Sequence, residues 1–61
     1  MISKLQEYMN EHGIKITWLA EATKIPYNTL YKYVRYGIGF ASKEEQERIT
    51  EALNVTLEEV M

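Results

Sequence analysis

Several residue types that build chemical sites are missing or scarce in this chain of 61 residues. It has no cysteine, one histidine, one proline and three glycines. Without cysteine there are no disulfide bonds and no thiolate metal ligands. One histidine is too few for a His-rich metal site, and three glycines are too few for a glycine-rich phosphate loop. A chain of this length has room for one domain, residues 1–61, whose stability is expected to be marginal because it buries little surface.

Long apolar segments are absent as well. No stretch approaches the roughly 18 to 20 apolar residues that a membrane-spanning helix needs. The first four positions include polar residues, and no apolar run suits a signal peptide. The sequence therefore predicts no membrane association and a cytoplasmic location.

Catalytic groupings are not apparent either. No nucleophile, base and orienting group can be assembled from the polar residues. The acidic run Glu44, Glu45 and Glu47 is typical of the first turn of a helix, where carboxylates interact well with the helix dipole. We therefore expect a protein that is not an enzyme and that uses no cofactor and no metal.

Charge is distributed unevenly along the chain. The net charge is −2, from 7 Lys and Arg against 9 Asp and Glu, and this average has the wrong sign for binding nucleic acid. Residues 22–43, however, carry four cations and no acid, whereas residues 44–61 carry one arginine and six glutamates. The four cations are Lys24, Lys32, Arg35 and Lys43. Residues 22–43, called the basic segment below, also hold four of the five tyrosines.

Helix-start and helix-stop signals divide the chain into five short helices. Capping-box spacings begin at Ser3, Ser42 and Thr56. Apolar periodicity predicts helices over about 4–11, 16–23 and 27–36, a fourth that Ser42 opens and a very short fifth. Pro26 pushes the residue before it out of the helical region and suits the opening of the third helix. The predicted fold class is all-α.

The third helix has two faces of different chemistry. On a wheel at 100° per residue, Leu30, Tyr33 and Val34 fall within an arc of about 100° that is predicted to face the core. A second arc of about 100° lies on the opposite side. That outer arc holds Asn28, Tyr31, Lys32 and Arg35.

Two short helices joined by a tight turn, the second with a polar outer face, form a helix-turn-helix pattern over about residues 16–36. On these residues the chain resembles the phage Cro and CI repressor family. The likeness is carried by Leu19, Ala20, Ile25, Leu30, Val34, Gly37 and the closing segment 49–60. It covers most of residues 14–60 and implies a compact five-helix, lambda-repressor-like domain from a prokaryote or a phage. Because the family commonly has glycine where this chain has Lys24, we expect a non-glycine residue in the left-handed conformation there.

The resemblance also implies which residues contact double-stranded DNA. The third helix would lie in the major groove with Tyr27, Asn28 and Lys32 at base edges. Asn28 suits adenine, and Lys32 suits guanine. The resemblance assigns flanking or phosphate contacts to Thr29, Tyr31, Arg35 and Lys43. The first amide groups of the fourth helix would also contact phosphate. Lys32 and Arg35 would also suit an ordinary solvated helix face, but the acid-free basic segment favours DNA.

A homodimer is expected, because one such domain makes few phosphate contacts and two copies can read two half-sites. Candidates for the dimer surface are Val55, Leu57, Val60 and Met61, some of which must also complete the core. The function implied is a sequence-specific transcriptional regulator, a Cro- or CI-like repressor that occludes a promoter.

Two other functions fit the same pattern. A helix-turn-helix scaffold can bind another protein, as an antirepressor or antitoxin-like module does, and Ile16, the net acidity and the tyrosine cluster suit that alternative. The chain can also be the DNA-binding module of a longer regulator.

The sequence also predicts where the aromatic side chains lie. Tyr33 is predicted to lie in the core, and the other tyrosines of the basic segment are DNA contacts or a protein-binding patch. Those tyrosines are Tyr27, Tyr31 and Tyr36. Trp18 is expected to pack against the first helix or rim the core, whereas an exposed tryptophan would indicate a partner site. Phe40 is expected to tuck back and anchor the loop after the third helix.

Overall fold

The computed structural model describes residues 2–61 and places five α-helices in this part of the chain. They are α1 (Lys4–His12), α2 (Ile16–Thr23), α3 (Tyr27–Tyr36), α4 (Lys43–Leu53) and α5 (Leu57–Val60). A single 3₁₀ turn, Ile38–Phe40, lies between α3 and α4. The described residues contain no strand, so the all-α class is confirmed, and the predicted helix bounds agree closely with the observed ones. In residues 2–61 no helix has the length and apolar character to cross a membrane.

Ser3 joins the start of α1 to the end of α3. Its side-chain oxygen accepts a hydrogen bond from the Gln6 N–H at 3.0 Å, and its hydroxyl donates to the carbonyl of Val34. The first interaction satisfies one of the amide groups that the first turn of a helix leaves without a partner. The second fixes α1 across the C-terminal half of α3.

The turn between α2 and α3 is organised by buried Thr23. Its hydroxyl donates to the Leu19 carbonyl at 2.7 Å, and the same oxygen accepts from the Ile25 N–H at 3.4 Å. Lys24 then takes the left-handed conformation with φ 64°, which confirms the expectation for a non-glycine residue at this position. Pro26 caps α3 with φ −55°, close to the value that its ring requires.

The first turn of α4 is held by a capping box that the sequence predicted. The Ser42 side chain accepts from the Glu45 N–H at 3.2 Å, and the Glu45 carboxylate accepts from the Ser42 N–H at 3.1 Å. Gln46 donates from Nε2 to the carbonyls of Ile38 and Ala41 at 3.1 and 3.2 Å. These bonds attach the 3₁₀ turn to α4.

One hydrophobic core is shared by all five helices and the 3₁₀ turn. α2 packs against both α3 and α4, while α1 packs against α3 and α5. The most deeply buried side chains are Leu5, Leu19, Leu30, Ile38, Ile49 and Val60. Tyr33 and Val34 are also buried, so the predicted inner face of α3 is confirmed and its opposite face is left to solvent.

The prediction for Phe40 is wrong. Phe40 is 68% exposed, and Ile38, at 1%, is the residue that anchors the segment after α3. The reason is the 3₁₀ turn, in which the N–H groups of Phe40 and Ala41 donate to the Gly37 and Ile38 carbonyls. With three residues per turn, side chains two positions apart cannot point the same way.

The prediction for Trp18 is also wrong, because Trp18 is 52% exposed. The buried residues of α2 are Leu19 and Thr23, and at 100° per residue Trp18 lies about 120° from the middle of that buried face. Its indole instead forms one side of a shallow apolar hollow with Gly13, Ile14 and Lys15.

Val60 requires a further correction. It was a candidate for the dimer surface, but it is only 1% exposed and belongs to the core, where α5 packs against α1 and α4. Val55 and Leu57 are half-buried, and Met61 is exposed. These three remain available to a partner.

Candidate nucleic-acid interface

The outer face of α3 has two stripes of side chains. Tyr27, Tyr31 and Arg35 follow one another at four-residue spacing, and Asn28 and Lys32 form a second stripe beside them. All five side chains are exposed. The helix therefore presents aromatic and polar donor groups in parallel rows on the side away from the core.

The two tyrosines of the first stripe lie ring against ring. The ring centroids of Tyr27 and Tyr31 are 6.4 Å apart and their planes differ by 16°. Tyr27 is 48% and Tyr31 45% exposed. The sides of the two rings that face each other are therefore covered, and the remaining ring surfaces are open to solvent. We refer to these two residues as the tyrosine pair.

Arg35 is ordered by aromatic neighbours. Its guanidinium carbon lies 5.7 Å from the centroid of the Tyr36 ring, within the range of a cation–π interaction. The hydroxyl of Tyr36 and, to a smaller extent, that of Tyr31 raise the pKa of the Arg35 guanidinium. The cation at the C-terminal end of the outer face is thus fully charged and held beside the tyrosines.

Within residues 2–61, no cation of the basic segment forms an ion pair with a carboxylate. The ion pair found within residues 2–61 joins Arg48 to Glu44 at 3.2 Å, outside this segment. Lys24, Lys32 and Arg35 therefore keep their charge for an external anion. Lys43, the first residue of α4, is exposed as well.

The N-termini of α2 and α4 differ in what they offer a phosphate. In α4 the N–H groups of Ser42 and Glu45 are already engaged by the capping box, and the first turn carries Glu44 and Glu45. In α2 the first turn has no acid and no side-chain cap, and exposed Lys15 precedes it. The start of α2 therefore has the features of an anion site, with free amide groups, the positive end of the dipole and no acid nearby. The sequence analysis assigned phosphate contact to the start of α4, and that assignment stays a prediction.

The structure brings together most of the residues that the sequence nominated for DNA contact. Tyr27, Asn28, Tyr31, Lys32 and Arg35 share the outer face of α3. The hydroxyl-bearing Thr29 is half-buried at the side of the helix, and Lys43 lies on a different element, α4.

The fold and this face define a class of protein. Two helices joined by a tight turn, the second with an exposed face of Asn, Tyr, Lys and Arg side chains, are the arrangement of a DNA-binding helix-turn-helix domain. A family model described as the Cro/C1-type HTH DNA-binding domain matches residues 4–61. The chain belongs to this family. Searches of curated proteins and of solved structures find no match to it.

Proposed function

We propose that the protein is a sequence-specific transcriptional regulator, a Cro- or CI-like repressor that binds operator DNA as a homodimer. The observation that carries this proposal is the outer face of α3, which combines hydrogen-bonding and cationic side chains with a complete absence of acids across residues 22–43. An exposed helix with this chemistry suits the negatively charged major groove.

Within this proposal α3 is the recognition helix and its polar stripe reads base edges. Asn28 offers both an acceptor and donors, which match adenine N6 and N7, and Lys32 donates to guanine O6 or N7. Tyr27 contributes at the N-terminal end, where a recognition helix enters the groove. Sequence preference is expected to depend on these three residues.

Phosphate contacts hold the recognition helix in place. Arg35 and Lys43 are exposed cations on two elements, and Thr29 and Tyr31 supply hydroxyl groups at the flanks. Lys15 and the free amide groups at the start of α2 add a further site. Such contacts set the affinity and its salt dependence without reading sequence.

The dimer surface is proposed to lie at α5. Leu57 lines a shallow, mostly apolar groove with the α4 residues Lys43, Gln46, Glu47 and Thr50, and Val55 and Met61 extend the apolar surface. Residues 44–61 carry six glutamates, so two copies repel each other through this face. The dimer is therefore expected to be weak in the free protein and to form on DNA.

Selection of bound sequences from a random duplex pool tests the proposal. We expect enrichment of a site with two related half-sites about one helical turn, about 10 base pairs, apart. A single half-site would contradict the dimer, and a pool without any enrichment would contradict sequence-specific binding.

A second function, binding of another protein, is favoured by one observation. Tyr36 and Phe40 are 62% and 68% exposed and lie edge to face with ring centroids 6.5 Å apart, beyond the polar stripe of α3. Exposed aromatic pairs of this kind are typical of protein interfaces. A titration with random-sequence duplex at low salt, followed by Trp18 fluorescence and by anisotropy, separates the two functions. No response there, together with a complex on addition of a second protein, would favour protein binding.

A further inference from the structure

The tyrosine pair has a surface that the polar contacts of the recognition helix do not use. Tyr27 and Tyr31 lie one turn apart with nearly parallel rings, and about half of each side chain is exposed. Asn28 and Lys32 form the adjoining stripe at the same height along α3. A helix that places Asn28 and Lys32 against base edges therefore places the tyrosine rings against the neighbouring bases.

The ring surfaces are ordered before any ligand arrives. The two rings lie nearly parallel with their centroids 6.4 Å apart, so each ring restricts the rotation of the other. A contact made by ordered side chains avoids the loss of rotamer entropy that a mobile side chain would pay. The tyrosine pair therefore offers a pre-formed apolar ring surface to a ligand.

Base pairs differ in whether they can use such a surface. In the major groove, guanine, adenine and cytosine present hydrogen-bonding groups, and thymine alone adds an apolar 5-methyl group. Ring carbons placed against polar edges would strip water from those groups without replacing its hydrogen bonds, which is unfavourable. Ring carbons placed against a methyl group remove apolar area from water, which is favourable.

From this arrangement we infer that the tyrosine pair reads the 5-methyl group of thymine, beside the bases that Asn28 and Lys32 contact. The inference rests on the proposed function and adds the chemical class of base that completes the site. The operator half-site then contains at least one thymine whose methyl group lies against Tyr27 or Tyr31.

Replacement of thymine by uracil in the selected duplex tests the inference, because it removes the methyl group and leaves every hydrogen-bonding group in place. Each thymine is replaced in turn, and the affinity is measured by anisotropy at fixed salt. We expect one or two positions in each half-site to lose about four-fold in affinity, the factor that corresponds to one buried methyl group. The remaining positions are expected to bind as before.

Variants assign the effect to the tyrosine pair. In Tyr27→Ala/Tyr31→Ala the affinity is expected to become insensitive to uracil, while Tyr27→Phe/Tyr31→Phe keeps the rings and the sensitivity. Tyr36→Ala is the matched control, since it removes an exposed tyrosine from the same helix and is expected to leave the uracil effect unchanged. Circular dichroism confirms that each variant retains the helical fold.

Three other results would each contradict the inference, and they can be distinguished from one another. Tight binding that is equal for thymine and uracil at every position overturns it and leaves the proposed function standing. A uracil effect of the same size in the double alanine variant also overturns it. Failure of the wild-type protein to bind any duplex overturns the proposed function, and the inference falls with it.

Discussion

The hydrogen bond between Tyr33 and Glu45 holds α3 against the first turn of α4. The Tyr33 hydroxyl donates to Glu45 Oε1 at 2.7 Å, and the same oxygen accepts from the Ser42 N–H at 3.1 Å. Tyr33→Phe removes the hydroxyl and keeps the ring, which is buried in the core. The perturbation therefore isolates one hydrogen bond from the packing around it.

The size of the effect follows from the partners. A hydrogen bond to a charged group contributes about 1.5–3 kcal/mol to stability, and because Glu45 is partly open to solvent the lower end of that range applies after screening. We expect Tyr33→Phe to lower the free energy of unfolding by about 1–1.5 kcal/mol at pH 7. For a domain of this size that is a fall in Tm of roughly 5–10 °C.

The pH dependence of this loss has a definite sign. The Tyr33 hydroxyl, and after it the Ser42 N–H, lowers the pKa of Glu45 from its ordinary value of 4.5. A carboxyl group whose pKa is lower in the folded state stabilises the protein above its unfolded pKa, and that contribution disappears as the pH falls through the folded pKa. The pKa of Tyr33 is raised, chiefly by the hydrogen bond to Glu45, so its contribution is lost only as the pH rises through that raised value.

Thermal and urea unfolding from pH 7 to pH 3, followed by circular dichroism, measures the effect. The difference between wild type and Tyr33→Phe is expected to be largest near neutral pH, to begin to shrink below the ordinary pKa of 4.5, and to disappear as the pH falls through the lower pKa of Glu45 in the folded protein. Tyr27→Phe is the control, because the Tyr27 hydroxyl is exposed, and it is expected to melt like the wild type. Equal stabilities at pH 7, or a difference that stays constant down to pH 3, would refute the reasoning.

Further predictions concern strain, packing and DNA contacts. Lys24→Gly is expected to raise the free energy of unfolding by about 1 kcal/mol in thermal melts, because a lysine in the left-handed region is strained. Asn54→Gly is the control and is expected to change the stability little. An unchanged or lower Tm for Lys24→Gly would contradict the strain. Leu30→Ala removes a fully buried side chain and is expected to cost about 2–5 kcal/mol, enough to unfold much of a small domain; a native circular dichroism spectrum and Tm would contradict this. In binding isotherms, Lys32→Ala is expected to reduce discrimination at one base pair by about 1–3 kcal/mol, whereas Arg35→Ala is expected to weaken binding to every duplex and reduce the salt slope by about one. The reverse pattern would contradict the assigned roles.

The helix ends are the part of the fold that the sequence predicted best. Ser3, Ser42 and Gly37 act through hydrogen bonds and backbone angles within a few residues, and the structure shows them at the predicted ends. Local signals of this kind need no knowledge of distant neighbours. The left-handed conformation of Lys24 was predicted on a different basis, from the resemblance to a family that commonly has glycine at this position.

Burial of individual apolar side chains was harder to predict. Phe40 and Trp18 are exposed, against the predictions for both. Val60 was one of four candidates for the dimer surface, some of which were expected to complete the core, and it is the one that is fully buried there. Which of two nearby apolar residues enters the core depends on the direction of a short turn and on how α5 meets α1 and α4. Those are tertiary properties that a local pattern does not contain.

The candidate site was predicted from the sequence in part. The wheel of α3 correctly separated its buried face from its exposed face, because periodicity alone decides that division. The cation–π contact between Arg35 and Tyr36 required the structure. Contact of the exposed residues with DNA stays a prediction.

The central claim is that duplex DNA binds to the outer face of α3, and charge reversal tests it most directly. Lys32→Glu changes a cation on that face. Lys4→Glu makes the same change in net charge on a different helix, in a hollow that Glu7, Glu11 and Glu59 also line. The measurement is anisotropy of a labelled duplex at low salt, where electrostatic attraction is strongest. We expect salt-dependent binding by the wild type, its loss in Lys32→Glu and its retention in Lys4→Glu. Absence of binding by the wild type, or equal losses in the two variants, would contradict it.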